Sequence, residues 1–539
     1  MSFAIKFACA LVALGVITSA QSSIAPRRLR LPATSYRYVD EKMPRSFQTW
    51  PGDNTPADNQ LTDAGAALGR VLFYDTQLSG NNTRACASCH LQQHAFADPH
   101  RVSSGFDGRL TDRHAMNLTN LRFHAPARFF WDERSGNLEQ MVLLPVSSEI
   151  EMGQNVRLLP GKLAAVAYYP ELFRSAFGDP QVTEARISRA LAQFLRSLTS
   201  YRSRYDEGLA QAGSAHQDFA TFTRQENRGK ALFVRHCATC HLPADDDWQF
   251  TLLSPANNGV ESDPIAGDGG VGDITLNALD LGRFKSPTLR NVEVAGPYMH
   301  DGSLATLDAV IDHYSRNFRI HPNLDFRMAP LHFTDSEKLA LVAFLKTLTD
   351  HRFLTDARFS DPFEPRLEPM DHATPASTPP AVAGSPLRRS DLSATTMLER
   401  LMRFDGNGDG MLSDSELIER MREIVPRGDA NRDGTLDARE GRALASASPV
   451  LGSGIGLPPQ ARRLTIRTRE PLGNSVPELL GDLKLPRGRL AAARVEVAQT
   501  PPGQQTVAGP PDQSVLLRRL EHILTADELN DLRAALERR

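Results

Sequence analysis

Cys86-Ala87-Ser88-Cys89-His90 and Cys237-Ala238-Thr239-Cys240-His241 are two copies of one pattern, C-x-x-C-H. The spacing is that of covalent c-type haem attachment. Two thiols one turn apart can form thioethers to the two vinyl groups of one porphyrin, and the adjacent imidazole then lies beneath the iron. These four cysteines and Cys9 account for all five in the chain. Zinc knuckles, redox dithiols and vicinal disulfides also use paired cysteines, but two copies, each followed by His, favour haem.

The flanks of the two motifs repeat as well, a check independent of the motifs themselves. Gly69-Arg70-Val71-Leu72-Phe73 precedes the first and Gly229-Lys230-Ala231-Leu232-Phe233 the second. Far downstream, Ala190-Leu191-Ala192-Gln193-Phe194-Leu195-Arg196-Ser197-Leu198-Thr199 answers Ala340-Leu341-Val342-Ala343-Phe344-Leu345-Lys346-Thr347-Leu348-Thr349. Both stretches carry apolar residues at three- and four-residue steps, and Thr223 with Glu226 and Thr334 with Glu337 have the spacing of capping boxes at helix starts. The expectation is a mainly α chain with two cytochrome-c-like helical haem domains, over 21–215 and 216–360.

Composition agrees with several ordinary globular domains: 539 residues, 41% hydrophobic and 23% charged. Sixty-one Lys and Arg against 64 Asp and Glu, a net charge of -3, remove the electrostatic case for a nucleic-acid partner. Residues 1–20 carry Lys6, an apolar run from Phe7 to Ile17 and the small residues Thr18-Ser19-Ala20. They read as a cleaved signal peptide, which removes Cys9 and directs the chain to the periplasm. That run is too short to span a bilayer and no other stretch approaches the length, so no membrane span is expected in the mature chain.

From about Asp53 to Phe363 the chain resembles the bacterial di-haem cytochrome c peroxidases, including the MauG branch. The resemblance rests on Phe129-Phe130-Trp131-Asp132-Glu133-Arg134, Glu149-Ile150-Glu151-Met152-Gly153, Phe284-Lys285-Ser286-Pro287-Thr288-Leu289-Arg290-Asn291 and Gly296-Pro297-Tyr298-Met299-His300-Asp301-Gly302. It implies that the N-terminal haem is the peroxide site, that the C-terminal haem relays electrons, and that His90 and His241 are the proximal ligands. It also makes Glu151 the distal acid, with Glu149 as its rival, and Trp131 the indole between the haems. Phe106 stands where members with a closed peroxide haem carry a distal His, which implies an open iron; His94, His100, His114 and His124 are other imidazoles nearby. Tyr314 falls at the sixth-ligand position of the second haem, Tyr in MauG-like proteins and Met in the peroxidases nearest the type members, with His313 as the neighbouring alternative.

Three positions depart from the family pattern. Met141 stands where relatives have Gln, and Arg235 where MauG has a surface Trp. His114 stands where the family's inter-haem calcium takes an Asn, although the Pro297 carbonyl is kept, which leaves a calcium between the haem domains open.

Residues 361–392 read as a Pro-rich linker. Beyond it, within 393–445, stand two twelve-residue loops with the EF-hand calcium pattern. The first has Asp405, Asn407, Asp409, Gly410, Met411, Ser413 and Glu416; the second has Asp429, Asn431, Asp433, Gly434, Thr435, Asp437 and Glu440. Alternating oxygens wrap the ion, Met411 and Thr435 offer backbone carbonyls, Gly permits the turn and Glu closes the shell. Residues 446–539 form a tail ending in an amphipathic helix at Thr525 to Arg539.

The expected protein is an exported peroxidase that reduces hydrogen peroxide to water with electrons from a small redox protein, a cytochrome c or a cupredoxin. Its expected cofactors are two covalently bound haem c groups and calcium at the two loops. A MauG-like enzyme that spends peroxide on residues of a partner protein is the second reading. A non-enzymatic electron carrier with a calcium-dependent docking module is the third.

Overall fold

A computed structural model describes residues 27–39, 43–44, 47, 52–241, 249–261, 267–364 and, beyond the linker, 398, 401–402, 405, 409–413, 416–417, 421–422 and 424–447. The signal segment 1–20, the linker beyond residue 364, Asn407 and the terminal helix 525–539 read from the sequence lie outside the described residues.

Two pairs of crossed helices organise the haem domains. Helix α1 (Asp63–Tyr74) crosses α2 (Glu184–Ser197), and α3 (Arg224–His236) crosses α6 (Asp335–Lys346). Between them in the chain lie the short helices α4 (Val271–Thr275) and α5 (Leu307–Asp312). The four long helices start where the sequence provides caps. Thr62 and Thr183 accept from the backbone N–H groups of Gly65 and Arg186, and Thr223 with Glu226 and Thr334 with Glu337 form both expected capping boxes.

The repeated sequence motifs meet at these crossings. A Cβ at Gly69 would lie 1.9 Å from the Ala190 carbonyl oxygen and 2.8 Å from the Phe194 Cβ. A Cβ at Gly229 would lie 1.8 Å from the Ala340 carbonyl oxygen and 2.9 Å from the Phe344 Cβ. Only glycine allows backbones this close. One turn further, Phe73 packs on Phe194 with ring centroids 5.2 Å apart, and Phe233 on Phe344 at 5.0 Å. Each pair anchors its own apolar core.

A second device is duplicated. Asn120 and Asn291 both adopt left-handed backbone, with φ of 60° and 59°. Their N–H groups donate to the carbonyls of Leu198 and Leu348, and their side-chain oxygens accept from Ser200 N–H and Asp350 N–H. The segment after α6 then returns to the N-terminal domain: Phe353, Phe359 and Phe363 complete its core, and the Tyr74 hydroxyl donates to the Phe359 carbonyl.

Regular sheet among the described residues is limited to β1 (Met411–Ser413) and β2 (Thr435–Asp437), antiparallel with Leu412 opposite Leu436. Each strand lies inside one of the two acidic loops, so the pairing joins them. The mainly helical architecture with cytochrome-c-like domains is therefore the one the sequence leads to.

Gly229→Ala is expected to lower the melting temperature, at a cost of about 1–3 kcal/mol from overpacking. Gly161→Ala, in a helix where an added Cβ meets nothing within 4 Å, should leave it unchanged or higher. Thermal denaturation of the two variants side by side checks this.

Candidate functional site

Each C-x-x-C-H motif begins as a tight turn, with the His90 and His241 backbone N–H groups donating to the Cys86 and Cys237 carbonyls at 3.0 and 2.9 Å. The four cysteines are free of disulfides, and burial pushes the Cys86 and Cys237 thiols up to about 12.

Both histidines are oriented by a backbone carbonyl. His90 Nδ1 hydrogen-bonds the Phe96 carbonyl at 2.7 Å, and His241 Nδ1 the Phe250 carbonyl at 3.0 Å. A carbonyl only accepts, so Nδ1 carries the proton and the Nε2 lone pair is left for a metal. Burial lowers both imidazole pKa values, which favours the neutral, ligating form. The two accepting residues, Phe96 and Phe250, have φ of 61° and 53°, left-handed values uncommon for a bulky side chain. Each is fully buried against the phenylalanine of the preceding helix, Phe73 at 5.8 Å and Phe233 at 5.9 Å. Neither carbonyl was foreseen from the sequence.

Around Cys237, Cys240 and His241 lies a cavity of about 230 Å³, also lined by Met299, Tyr314 and Phe284. Two cysteines and a histidine with a free Nε2 on an apolar cavity fit a covalently bound haem. The Tyr314 hydroxyl accepts from the Asn258 side-chain amide at 3.0 Å, and burial pushes its pKa up to about 12. The rival His313 spends its Nε2 on the Asn258 carbonyl at 2.8 Å. Asn258 thus separates the two neighbours and was missed in the sequence.

On the N-terminal side, the loop carrying Phe106 is stitched to the Glu149–Gly153 segment. The Phe106 N–H donates to the Glu151 carbonyl at 2.9 Å, and Gly105 approaches the Ile150 carbonyl so closely that a Cβ would lie 1.6 Å from it. The Phe106 ring covers Gly153, whose φ is 58°. Glu151 is half-buried and Glu149 exposed. Burial raises the Glu151 carboxyl pKa, opposed by Arg134 and a Ser148 hydrogen bond, and its charge is felt at both Cys86 and Cys89.

The four other imidazoles have different surroundings. His94 and His100 bond the Val294 carbonyl and the Asp98 carboxylate, and His124 is deeply buried beside Phe129. His114 donates from Nε2 to the Asp98 carbonyl at 2.9 Å, which leaves no lone pair on that nitrogen for a cation.

Between the two sides, the Trp131 indole N–H donates to the His114 carbonyl at 2.8 Å. Its ring meets His300 edge-on at 6.5 Å, and His300 stacks on Phe284 at 3.6 Å. Arg113 bridges the buried Asp132 at 2.5 Å and Asp268 at 2.6 Å; against the cost of burial, Arg134 and then Arg113 hold the Asp132 carboxyl, and Arg113 the Asp268 carboxyl, below the usual carboxylate range. Lys285, whose N–H donates to the Trp131 carbonyl, is pushed down to about 8 by burial.

The acidic loops keep two features of the calcium pattern. Gly410 and Gly434 have φ of 82° and 85°, and their N–H groups donate to the Asp405 and Asp429 carboxylates at 2.9 Å. The Glu440 carboxylate accepts from the backbone N–H groups of Ala430 and Asn431. Among the described residues no cluster of three His, Cys, Asp or Glu side chains already converges as a metal site.

A family model for di-haem cytochrome c peroxidase matches residues 63–214, and a cytochrome c model matches 226–349. The methylamine utilization protein MauG of Methylorubrum extorquens is 35% identical over 54% of this chain and 80% of its own length. The chain belongs to the di-haem cytochrome c peroxidase family. The cytochrome c551 peroxidase of Nitrosomonas europaea is 31% identical over 58% of this chain and 86% of its own. Among solved structures, a MauG-like protein associated with microbial copper homeostasis matches with a TM-score of 0.54 and 33% identity, over 60% of this chain and 98% of its own. The chain is accordingly a di-haem c peroxidase, an oxidoreductase acting on peroxide. Among the described residues no helix is long and apolar enough to cross a membrane.

Replacing Cys86 and Cys89 together by Ala is expected to leave one covalent haem per chain, as is replacing Cys237 and Cys240. Haemochrome absorbance per mole of denatured protein counts them.

Proposed function

We propose that this peroxidase binds hydrogen peroxide on the Glu151 face of the His90 haem and draws electrons through the His241 side from a small periplasmic cytochrome c or cupredoxin. The observation that carries the reading is the raised, half-buried Glu151 carboxyl beside Cys86 and Cys89, under a loop that presents Phe106. Bound haem c supplies the iron that splits peroxide and a second centre through which electrons arrive.

The protein's part is to hold groups and move protons. Glu151 would accept a proton from one oxygen of the peroxide and deliver it to the other, the leaving oxygen; with two electrons from the donor and two protons from solvent, one peroxide would yield two waters. Phe106 carries no lone pair that could close the peroxide side. Tyr314, positioned by Asn258, would help His241 hold the second haem. Trp131 would carry an oxidising equivalent with its indole proton retained, because the His114 carbonyl that receives its hydrogen bond is too weak a base to take that proton.

Export to the periplasm and calcium in the two loops, held by Asp405, Asn407, Asp409, Met411, Ser413 and Glu416 and by Asp429, Asn431, Asp433, Thr435, Asp437 and Glu440, belong to the same proposal. Tyr314 beside the second haem cavity and Phe106 on the first side favour, as a second reading, oxidation of residues on a partner protein. In that case the enzyme would accept equivalents from the partner instead of a dedicated donor.

Glu151→Gln is expected to lower the rate constant for peroxide consumption about 10²- to 10⁴-fold at unchanged haem content. The wild-type rate should fall as pH drops through the raised Glu151 pKa, above the ordinary value of about 4.3, because the protonated carboxyl cannot accept. That acid limb should be missing in the variant. Stopped-flow peroxide consumption across pH, with a reduced cytochrome or cupredoxin, decides; a variant matching wild type at every pH contradicts the assignment.

A further inference from the structure

The turn after α4 packs against the segments that carry the two acidic loops. Leu276 and Leu281, 0% and 5% exposed, are buried in one apolar cluster with Leu412, Met421, Ile424 and Leu436. Leu412 and Leu436 face each other across β1 and β2, so the floor of this groove is the ladder that joins the two acidic loops. The Arg427 guanidinium donates to the carbonyls of Thr275 and Leu276 at 3.4 and 3.3 Å, where it complements the C-terminal end of α4. Leu276 itself has a φ of 52°, a conformation that costs a branched side chain stability unless its surroundings hold it.

The other end of this segment lies in the site. Gly270 bridges to Arg283, and the Gly282 N–H donates to the Gly269 carbonyl, so residues 268–284 form a closed strap. At its base Asp268 pairs with Arg113, which also holds Asp132 next to Trp131. Three residues beyond Leu281, Phe284 stacks on His300 and joins Met116 and Trp131 in one buried cluster. The groove and the Trp131 surroundings therefore hold opposite ends of one strap.

In the calcium pattern, the seventh loop position coordinates through its backbone carbonyl. Those positions are Met411 and Thr435, and the residues that follow them are Leu412 and Leu436. Coordination would thus act on the very peptides that carry the groove floor.

We propose that the segment carrying the two acidic loops is an intramolecular clamp: it holds Leu276 and Leu281, and calcium in its loops tightens that hold and orders the 268–284 strap beside Trp131. This rests on reading the two loops as calcium sites. Exported modules of this kind bind calcium in the range of about 10⁻⁴–10⁻³ M, so the clamp would respond to millimolar calcium.

The test is amide hydrogen exchange of residues 271–281 in the full-length, haem-loaded protein, with and without millimolar calcium, alongside calorimetric calcium titration. Wild type is expected to show exchange slowed about tenfold, at ten times the dissociation constant, for each loop whose calcium must leave as the strap opens. Glu416→Gln combined with Glu440→Gln should show neither heat nor slowing. Leu276→Asp, or Arg427→Ala where the first fails to fold, should keep the heat and lose the slowing. Calcium heat in wild type without any change in exchange would overturn the clamp and leave the calcium sites standing. No calcium heat in wild type would overturn both.

Discussion

Two glycines set the distance on which both haem domains depend. Gly69 and Gly229 let crossed helices approach to backbone contact, and the helices then carry Phe73 and Phe233 to the same depth. Those rings support Phe96 and Phe250, each in left-handed backbone, and it is their carbonyls that receive the Nδ1–H of His90 and His241. A helix crossing thereby becomes an imidazole with one free nitrogen at a fixed place. The strain at the two phenylalanines is held by core packing, which a surface loop could not supply.

On this common base the two sides diverge. The C-terminal side surrounds its cavity with Tyr314 and Asn258, a polar pair among apolar walls. The N-terminal side presents a carboxyl raised by burial and an aromatic ring that offers no lone pair. Duplication therefore accounts for the proximal halves, and the chemistry differs through the opposite faces. Between them, Arg113, Asp132 and Asp268 place a buried charge network beside Trp131, costly to assemble and sensitive to any shift of the strap that bears Asp268.

Much of this was legible in the residues. The C-x-x-C-H motifs are constrained by covalent chemistry to fixed spacings, and the repeated Gly-x-x-x-Phe and Ala-x-x-x-Phe stretches marked two similar helical domains, although nothing in them says that the helices cross at the glycines. The orienting carbonyls were not legible, because a backbone acceptor has no side-chain code and the intervals differ: six residues from His90 to Phe96, nine from His241 to Phe250. Asn258 was hidden for a related reason, since its partner Tyr314 lies 56 residues away. Glu149 and Glu151 could be ranked in sequence only by resemblance; burial separates them physically. The meeting of Leu276 with the loop pair could not be read at all, for it depends on a docking between distant segments with no repeat to mark it.

The central claim is that the two haem sides differ in access, with the Glu151 side open and the His241 side closed by Tyr314. Electron paramagnetic resonance of the ferric, haem-loaded protein, before and after one equivalent of peroxide, tests it most directly. One high-spin and one low-spin haem, with the high-spin signal lost on adding peroxide, is the expected result. Two low-spin haems that ignore peroxide until one is reduced would contradict it and would place a histidine over the first iron.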